Sequence, residues 1–353
     1  PAPLVLDCMN AGTVMRFLTG FLAHVPGEWI LTGSERMKDR PVEPLVNALR
    51  ALGTAILCME KPGYPPLRIT GGNVQGGKVT VDTGISSQFI SSLLMVGPAL
   101  PGGFTLVLKG KRTSWPYVSM TLAMLREAGI SFEHSEDMIR MEQQDYLPGE
   151  IRVEPDWSSA AFWYELTAFS SSADLLLECL NSANLQGDAI LPALFEPLGV
   201  KTSIEHNGIR LQRVGRSASL YAHDFTDHPD LAQPVIATCA GLNMPGRFTG
   251  LESLRIKETD RLGALQAELT KIGVSIALSG SSDLILEPAD HLPSIPGTGI
   301  VFCTHGDHRM AMSLAPLSLV TGTAVIEDPD VVAKSYPAFW DDLRGVGLKI
   351  KNG

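Results

Sequence analysis

The sequence predicts an α/β protein of two domains, each built from repeated βαβαββ units. Three observations predict it. Five helical stretches end alike, at LRALG (Gly53), LREAG (Gly129), FEPLG (Gly199), LTKIG (Gly273) and LRGVG (Gly347), with spacings of 76, 70, 74 and 74 residues. A strand-like run follows each glycine: TAILCME, ISFEHSE, VKTSIEH, VSIALSG and LKIK. An earlier helix start also recurs, again after a strand-like run. A fixed period signals internal duplication, and glycine closes a helix because it adopts φ > 0 without strain. One unit reads strand, helix, strand, helix, strand, strand, and such helices and sheets pack into layered domains.

The first visible unit opens on Asn10-Ala11-Gly12-Thr13 at a helix start and passes a cation-rich turn, 33–41, before a helix starting near Pro41. In the second, VTVD leads into SSQFISSLLM at Ser86. A boundary near Leu147-Pro148-Gly149 then divides an upper domain, 1–148, from a lower one, 149–353. In the lower domain IRVEPD leads into SSAAFWYELTAF at Ser158, where Asp156 suits an N-cap. LYAHDFTDHPD leads into LAQPVIATCAG at Leu231; a strand-like run, 247–254, and a helical pattern (Leu262, Leu265, Leu269) complete that unit. Last, IVFCTHG leads into DHRMAMSLAPL at Asp307.

The chain's 353 residues suit two domains with sizeable cores. A net charge of −10 argues against a broad nucleic-acid surface, which needs lysine and arginine clustered over a wide face. It leaves room for a small cationic pocket. The five cysteines (Cys8, Cys58, Cys179, Cys239, Cys303) lack CxxC spacing and read as reduced core thiols of a cytoplasmic protein. No apolar run reaches the roughly 18 residues of a membrane helix.

Against that acidic background, the segment from Arg255 to Leu262, RIKETDRL, packs three cations and two carboxylates into seven residues before the helical pattern. On a helix, Lys257 and Arg261 share one face with Glu258 beside them. Cations at a helix start oppose the dipole, so an anion held between them and the helix N-terminus would account for them. Arg309, beside Asp307 and His308, and Gln88, beside Ser86 and Ser87, also stand at helix starts without serving any capping need. Several cationic helix starts in one acidic chain point to a shared anion site.

These residues carry a resemblance. NAGTVMR at Asn10, GSERMKDRP at Gly33, YPPLRITGG at Tyr64, SSQFISSLLM at Ser86, SWPY at Ser114, HPD at His228, RIKETDRL at Arg255, DHRMAM at Asp307 and AKSYPAFW at Ala333 occur in the order found in 5-enolpyruvylshikimate-3-phosphate synthases, also called 3-phosphoshikimate 1-carboxyvinyltransferases. The chain resembles that family over essentially its whole length. The resemblance implies units arranged about a pseudo-threefold axis in each domain, with helix N-termini facing a cleft that closes over substrates. It implies transfer of the enolpyruvyl group of phosphoenolpyruvate to the 5-hydroxyl of shikimate 3-phosphate, with release of phosphate and without metal or organic cofactor. It also implies a monomer, and glyphosate as an inhibitor.

By the same resemblance, Arg261 and Arg309 would grip the phosphoenolpyruvate carboxylate, and Arg40, Lys334, Gln88, Asn10 and the backbone at Gly12 would hold its phosphate. Ser86, Ser87, Ser114, Ser253 and Lys257 would surround the shikimate phosphate, with Gln88 and Tyr117 against the ring. Asp230 would accept the 5-hydroxyl proton, and Glu258 would protonate the methylene carbon. Forked guanidinium groups suit carboxylates and phosphates, at about 1.5–3 kcal/mol for each charge-assisted bond.

The chain departs from the family at its start. The family's first strand carries a Lys-Ser pair and then an Arg, and nothing here matches it; five units are visible where the family has six. The expectation is a chain without the first upper unit and a lower edge strand, with activity absent or severely impaired, and intact mass would test it. Phe17 stands where the family often has Pro, and Ser253 where many members have Asn. Two other readings stay open: a non-catalytic binder of phosphorylated ligands, and UDP-N-acetylglucosamine enolpyruvyl transferase, although no cysteine here sits in a suitable polar loop. Coupled phosphate release by the full-length gene product separates them.

Overall fold

The computed structural model describes residues 2–181, 184–280, 282–293 and 299–351. They divide into two compact units. The first runs to Arg152 and takes in Leu185–Gly187 and Ile256–Glu258; the rest form the second.

The first unit contains two copies of one motif. β1 (Leu4–Asp7), α1 (Gly12–His24), β2 (Gly27–Thr32), a single-turn α2 (Glu35–Lys38), α3 (Glu43–Ala51), β3 (Ala55–Cys58) and β4 (Leu67–Gly71) make the first. Its sheet has the order β1-β2-β4-β3, with β1 parallel to β2 and the other pairs antiparallel. β5 (Gly77–Asp82), α4 (Ser87–Val96), β6 (Phe104–Lys109), α5 (Trp115–Glu127), β7 (Glu133–His134) and β8 (Met138–Met141) repeat it in the order β5-β6-β8-β7. The expected βαβαββ order is therefore formed. The strands show why: Val79 and Val81 are buried while Lys78, Thr80 and Asp82 face water, the period-two pattern of a sheet with one covered face.

The helices lie on that covered face. Arg16 O accepts from Ser92 Oγ at 2.8 Å. A Cβ on Gly20 would stand 2.4 Å from Ser92 Oγ and 3.4 Å from Val96 Cγ2. The contacts advance in the same sense along α1 and α4, so the two helices run parallel with their N-termini at one end. Ser91 and Thr121 share a 2.7 Å hydrogen bond that joins α4 to α5. Buried Met15, Leu22, Leu45, Leu49, Ile69, Phe89, Leu93, Phe104 and Leu106 belong to the core beneath.

The second unit opens with α6 (Trp157–Phe169), β9 (Asp174–Glu178), α7 (Leu191–Phe195), β10 (Val200–Glu205) and β11 (Gly208–Arg213), a three-stranded sheet in the order β10-β11-β9. The motif then recurs in full as β12 (Tyr221–Asp224), α8 (Ala232–Gly241), β13 (Gly246–Thr249), α9 (Arg261–Leu269), β14 (Ser275–Ser279) and β15 (Asp283–Glu287), ordered β12-β13-β15-β14. It ends with β16 (Ile300–Phe302), α10 (His308–Leu314), a short α11 (Ser318–Thr321), β17 (Ala324–Ile326) and α12 (Phe339–Gly345), where β16 and β17 pair in parallel. α8 and α10 also run parallel: Arg309 meets Asp230 at their starts, and a Cβ on Gly241 would lie 2.8 Å from Leu317 at their ends. This unit has its own core, which includes Trp157, Tyr164, Phe195, Phe248, Leu265, Phe302 and Phe339.

Four sequence expectations need correction. The run 151–156 does not form a strand; Pro155 offers no N–H to a ladder, and Ile151 and Val153 are exposed. The run 348–351 forms none either. The strand expected across 247–254 stops at Thr249, because Gly250 turns left-handed at φ 71°. Cysteines as core residues hold only for Cys8 and Cys239; Cys58 and Cys303 are half-buried and Cys179 is exposed, all five being free thiols.

Candidate active site

The second unit centres its charges on Asp230. That residue lies in a short 3-10 turn, Pro229–Leu231, leading into α8. Arg261, the first residue of α9, is 1% exposed and donates from Nη1 to Asp230 Oδ1 at 3.0 Å and from Nε to Asp307 Oδ2 at 2.7 Å. Arg309, in the first turn of α10, donates from Nη1 to the Asp230 carbonyl at 3.2 Å and lies 3.5 Å from its carboxylate through Nη2. Asp307 is fully buried and caps α10 by accepting the Arg309 N–H at 2.8 Å. Two guanidinium groups from different repeats thus meet one carboxylate across the starts of three helices. A buried cation must be paired, and the two aspartates meet that need for Arg261. Its position at a helix start, unfavourable to the dipole, is offset the same way.

His308 sits between these groups. Burial lowers its pKa to about 4; Asp307 opposes that shift, while Arg309, Lys334 and Arg261 reinforce it. Its imidazole is therefore neutral at physiological pH. Lys334 is exposed at the end of a 3-10 turn, Pro329–Lys334. Ser253 is half-buried in the turn Glu252–Ile256.

The first unit gathers a second cluster at the start of α1. Gly12 opens that helix, and its N-cap, Ala11, supplies no side-chain acceptor. A Cβ on Gly12 would stand 2.3 Å from Arg16 Nη1 and 2.5 Å from Arg40 Nη2. Arg40 is buried and donates from Nη1 to the Asn10 carbonyl at 3.0 Å; the same nitrogen lies 3.6 Å from Glu258 Oε1. Gln88 Nε2 donates to Thr13 Oγ1 at 2.9 Å, and its own N–H is accepted by Ser86 Oγ, the N-cap of α4. Ser87 is buried at the first position of α4. Ser114 is buried in a left-handed conformation (φ 55°) just before α5, whose first turn carries Tyr117. Thr113 Oγ1 donates to the Thr83 carbonyl at 3.1 Å and so ties the loops that enter α4 and α5. Arg36 reaches the Lys257 carbonyl from Nε at 3.2 Å and Nη2 at 3.0 Å.

One local reading was wrong. Lys257, Glu258 and Arg261 do not share a helix face, because α9 begins only at Arg261. Asp260 sets that start: its Oδ1 accepts the Gly263 N–H at 3.3 Å and its Oδ2 pairs with Arg255 at 3.1 Å. One residue was missed. Arg16 is buried, its Nη2 donates to the Pro41 carbonyl at 3.3 Å, and its Nε and Nη1 have no partner. Desolvation, with Arg40 adding to it and Glu258 opposing it, lowers its pKa to about 9. Its spacing of four from Gly12, one helical turn, was the available signal.

A βαβαββ motif that recurs in both units, with arginines gathered at helix starts, suits a protein that binds anions, and comparison with known proteins makes the class specific. The family model described as EPSP synthase (3-phosphoshikimate 1-carboxyvinyltransferase) matches residues 1–343. A 3-phosphoshikimate 1-carboxyvinyltransferase of Bacteroides fragilis is 45% identical over 350 residues, which are 99% of this chain and 85% of that protein. One from Methanoculleus marisnigri is 35% identical over 347 residues, 98% of this chain and 80% of the relative. The solved EPSP synthase of Acinetobacter baumannii superposes with a TM-score of 0.73 at 25% identity, covering 99% of this chain and 80% of its own. This chain belongs to the EPSP synthase family. No helix among the described residues is long and apolar enough to cross a membrane.

Proposed function

We propose that the protein transfers the enolpyruvyl group of phosphoenolpyruvate to the 5-hydroxyl of shikimate 3-phosphate and releases phosphate. The observation that carries this reading is Asp230 held by Arg261 and Arg309. The two guanidinium groups suit the carboxylate of phosphoenolpyruvate, and as that carboxylate takes them over, Asp230 loses the charges that hold it ionised and becomes the base for the attacking hydroxyl. In this assignment Arg40, Lys334, Asn10, Gln88 and the Gly12 N–H hold the phosphate of phosphoenolpyruvate. Ser86, Ser87, Ser114, Ser253 and Lys257 hold that of shikimate 3-phosphate, with Gln88 and Tyr117 against its ring. Asp230 takes the proton of the attacking hydroxyl and Glu258, beside Arg40, delivers one to the methylene carbon. Attack by the hydroxyl oxygen forms a tetrahedral adduct; loss of phosphate and of a methyl proton then restores the enol ether.

The test is phosphate release in the presence of both substrates. Asp230→Asn is expected to lose about 10²–10⁴ of turnover, the usual worth of positioned proton transfer, while retaining substrate binding. Equal losses of binding and rate would make Asp230 structural. We also assign glyphosate to the phosphoenolpyruvate subsite and a monomeric state to the protein, to be checked by inhibition competitive with phosphoenolpyruvate and by sedimentation. The family match leaves a non-catalytic binder and the UDP-N-acetylglucosamine enzyme unfavoured.

A further inference from the structure

We infer that Glu268 is a positioning residue for the phosphoenolpyruvate subsite. The inference rests on the assignment of Arg261 and Arg309 to that ligand's carboxylate. Glu268 touches neither arginine. It lies two turns along α9 from Arg261 and is 2% exposed. Its Oε2 accepts from Lys271 Nζ at 2.6 Å and from the Cys303 N–H at 2.9 Å, and its Oε1 meets His305 Nε2 at 2.9 Å. Burial alone would raise its pKa, but the bonds from Lys271, His305 and the Cys303 N–H outweigh this and lower it, so the carboxylate is ionised.

Cys303 and His305 belong to the loop between β16 and α10. That loop ends on Asp307, which pairs with Arg261 and caps the helix carrying Arg309. The loop is conformationally costly: His305 (φ 51°) and Gly306 (φ 68°) are both left-handed, and a non-glycine residue persists there only where its surroundings hold it. Glu268 enforces it. α9 and the loop are thus joined twice, by Arg261–Asp307 at the site and by Glu268 behind it. When a ligand carboxylate draws the arginines away from Asp230 and Asp307, the first joint loosens. The second keeps the loop, and with it Arg309, in register with Arg261.

The experiment uses the full-length gene product and measures phosphoenolpyruvate Kd by titration calorimetry, KM for each substrate by phosphate release, and Tm. Glu268→Gln and His305→Ala are expected to raise Kd and KM for phosphoenolpyruvate about tenfold while KM for shikimate 3-phosphate stays within about twofold, since small displacements of positioning groups cost that much. His305→Gln, whose amide Nε2 can still donate to Glu268, is expected to restore the affinity. A lowered Tm with phosphoenolpyruvate affinity intact, or parallel losses for both substrates, overturns the inference. If Glu268→Gln does not fold, the two His305 variants decide. Arg309→Lys separates the layers: if it leaves phosphoenolpyruvate affinity unchanged, the assignment of the arginines fails and this inference with it. If it weakens binding while the Glu268 and His305 variants bind normally, this inference alone fails.

Discussion

Gly12 shows how one residue can set a binding site by what it lacks. A methyl group there would stand within 2.5 Å of guanidinium nitrogens of both Arg16 and Arg40, so one arginine must move. Arg40 is fixed by the Asn10 carbonyl and lies beside Glu258, which leaves little slack. Gly12→Ala is therefore expected to raise KM for phosphoenolpyruvate by about tenfold or more, with Tm nearly unchanged, measured by phosphate release and thermal melting. Equal Tm and unchanged KM would show that the guanidinium groups yield freely. At this scale Arg261 and Arg309 stand out in the sequence, because charge at a helix start is conspicuous in a linear string, whereas Asn10, Gly12, Arg40 and Asp230 take their roles from the family resemblance. For Arg16 the sequence offers only its place one helical turn after Gly12; nothing in a string shows that its guanidinium is buried with two nitrogens unsatisfied. Nor could it show that Asp260, rather than Lys257, begins the helix, since the choice depends on the side-chain bonds Asp260 makes to Gly263 and Arg255.

Among the elements, the five repeated glycines were the most legible feature, and each is left-handed: Gly53 at 95°, Gly129 at 83°, Gly199 at 89°, Gly273 at 88° and Gly347 at 101°. The reason is local, a helix end that needs φ > 0, so it could be read without tertiary information. Strand ends were less legible because pairing is nonlocal. The run 151–156 alternates like a strand, yet a strand exists only where a neighbour receives its hydrogen bonds. Gly347 offers the cleanest test of the helix-end argument, because nothing lies within 4 Å of the place its Cβ would occupy. Gly347→Ala is expected to cost about 1–2 kcal/mol through backbone strain alone, read from urea unfolding. A cost near zero would show that the last turn relaxes and that the glycine there marks ancestry of the repeat rather than a conformational need.

At the scale of the whole molecule, His308 and Glu165, two of the buried titratable groups that lack full pairing, act on opposite sides of the pH range of stability, and neither role could be identified from sequence. His308 has a pKa near 4 in the folded chain against 6.5 for an exposed histidine. Below 6.5 the unfolded chain binds a proton that the folded chain refuses, so stability is full above that pH and falls until about pH 4, by at most about 3 kcal/mol. His308→Gln should flatten that acid limb in unfolding curves taken at successive pH values, whatever it does to turnover; an unchanged limb would place the loss elsewhere. Glu165, in α6, acts on the other side. It is fully buried, neither carboxylate oxygen has a partner, and desolvation holds its pKa well above the model-compound value of 4.5. The folded chain therefore keeps a proton that the unfolded chain gives up above that value, so its contribution is full in acid and is lost as pH rises. An amide of the same shape carries no such proton. Glu165→Gln is thus expected to gain on the parent progressively from pH 5 to pH 8, seen as a Tm difference that widens with pH. A Tm difference independent of pH would mean that the carboxyl is ionised in the fold, paired by a group or water that burial alone does not reveal.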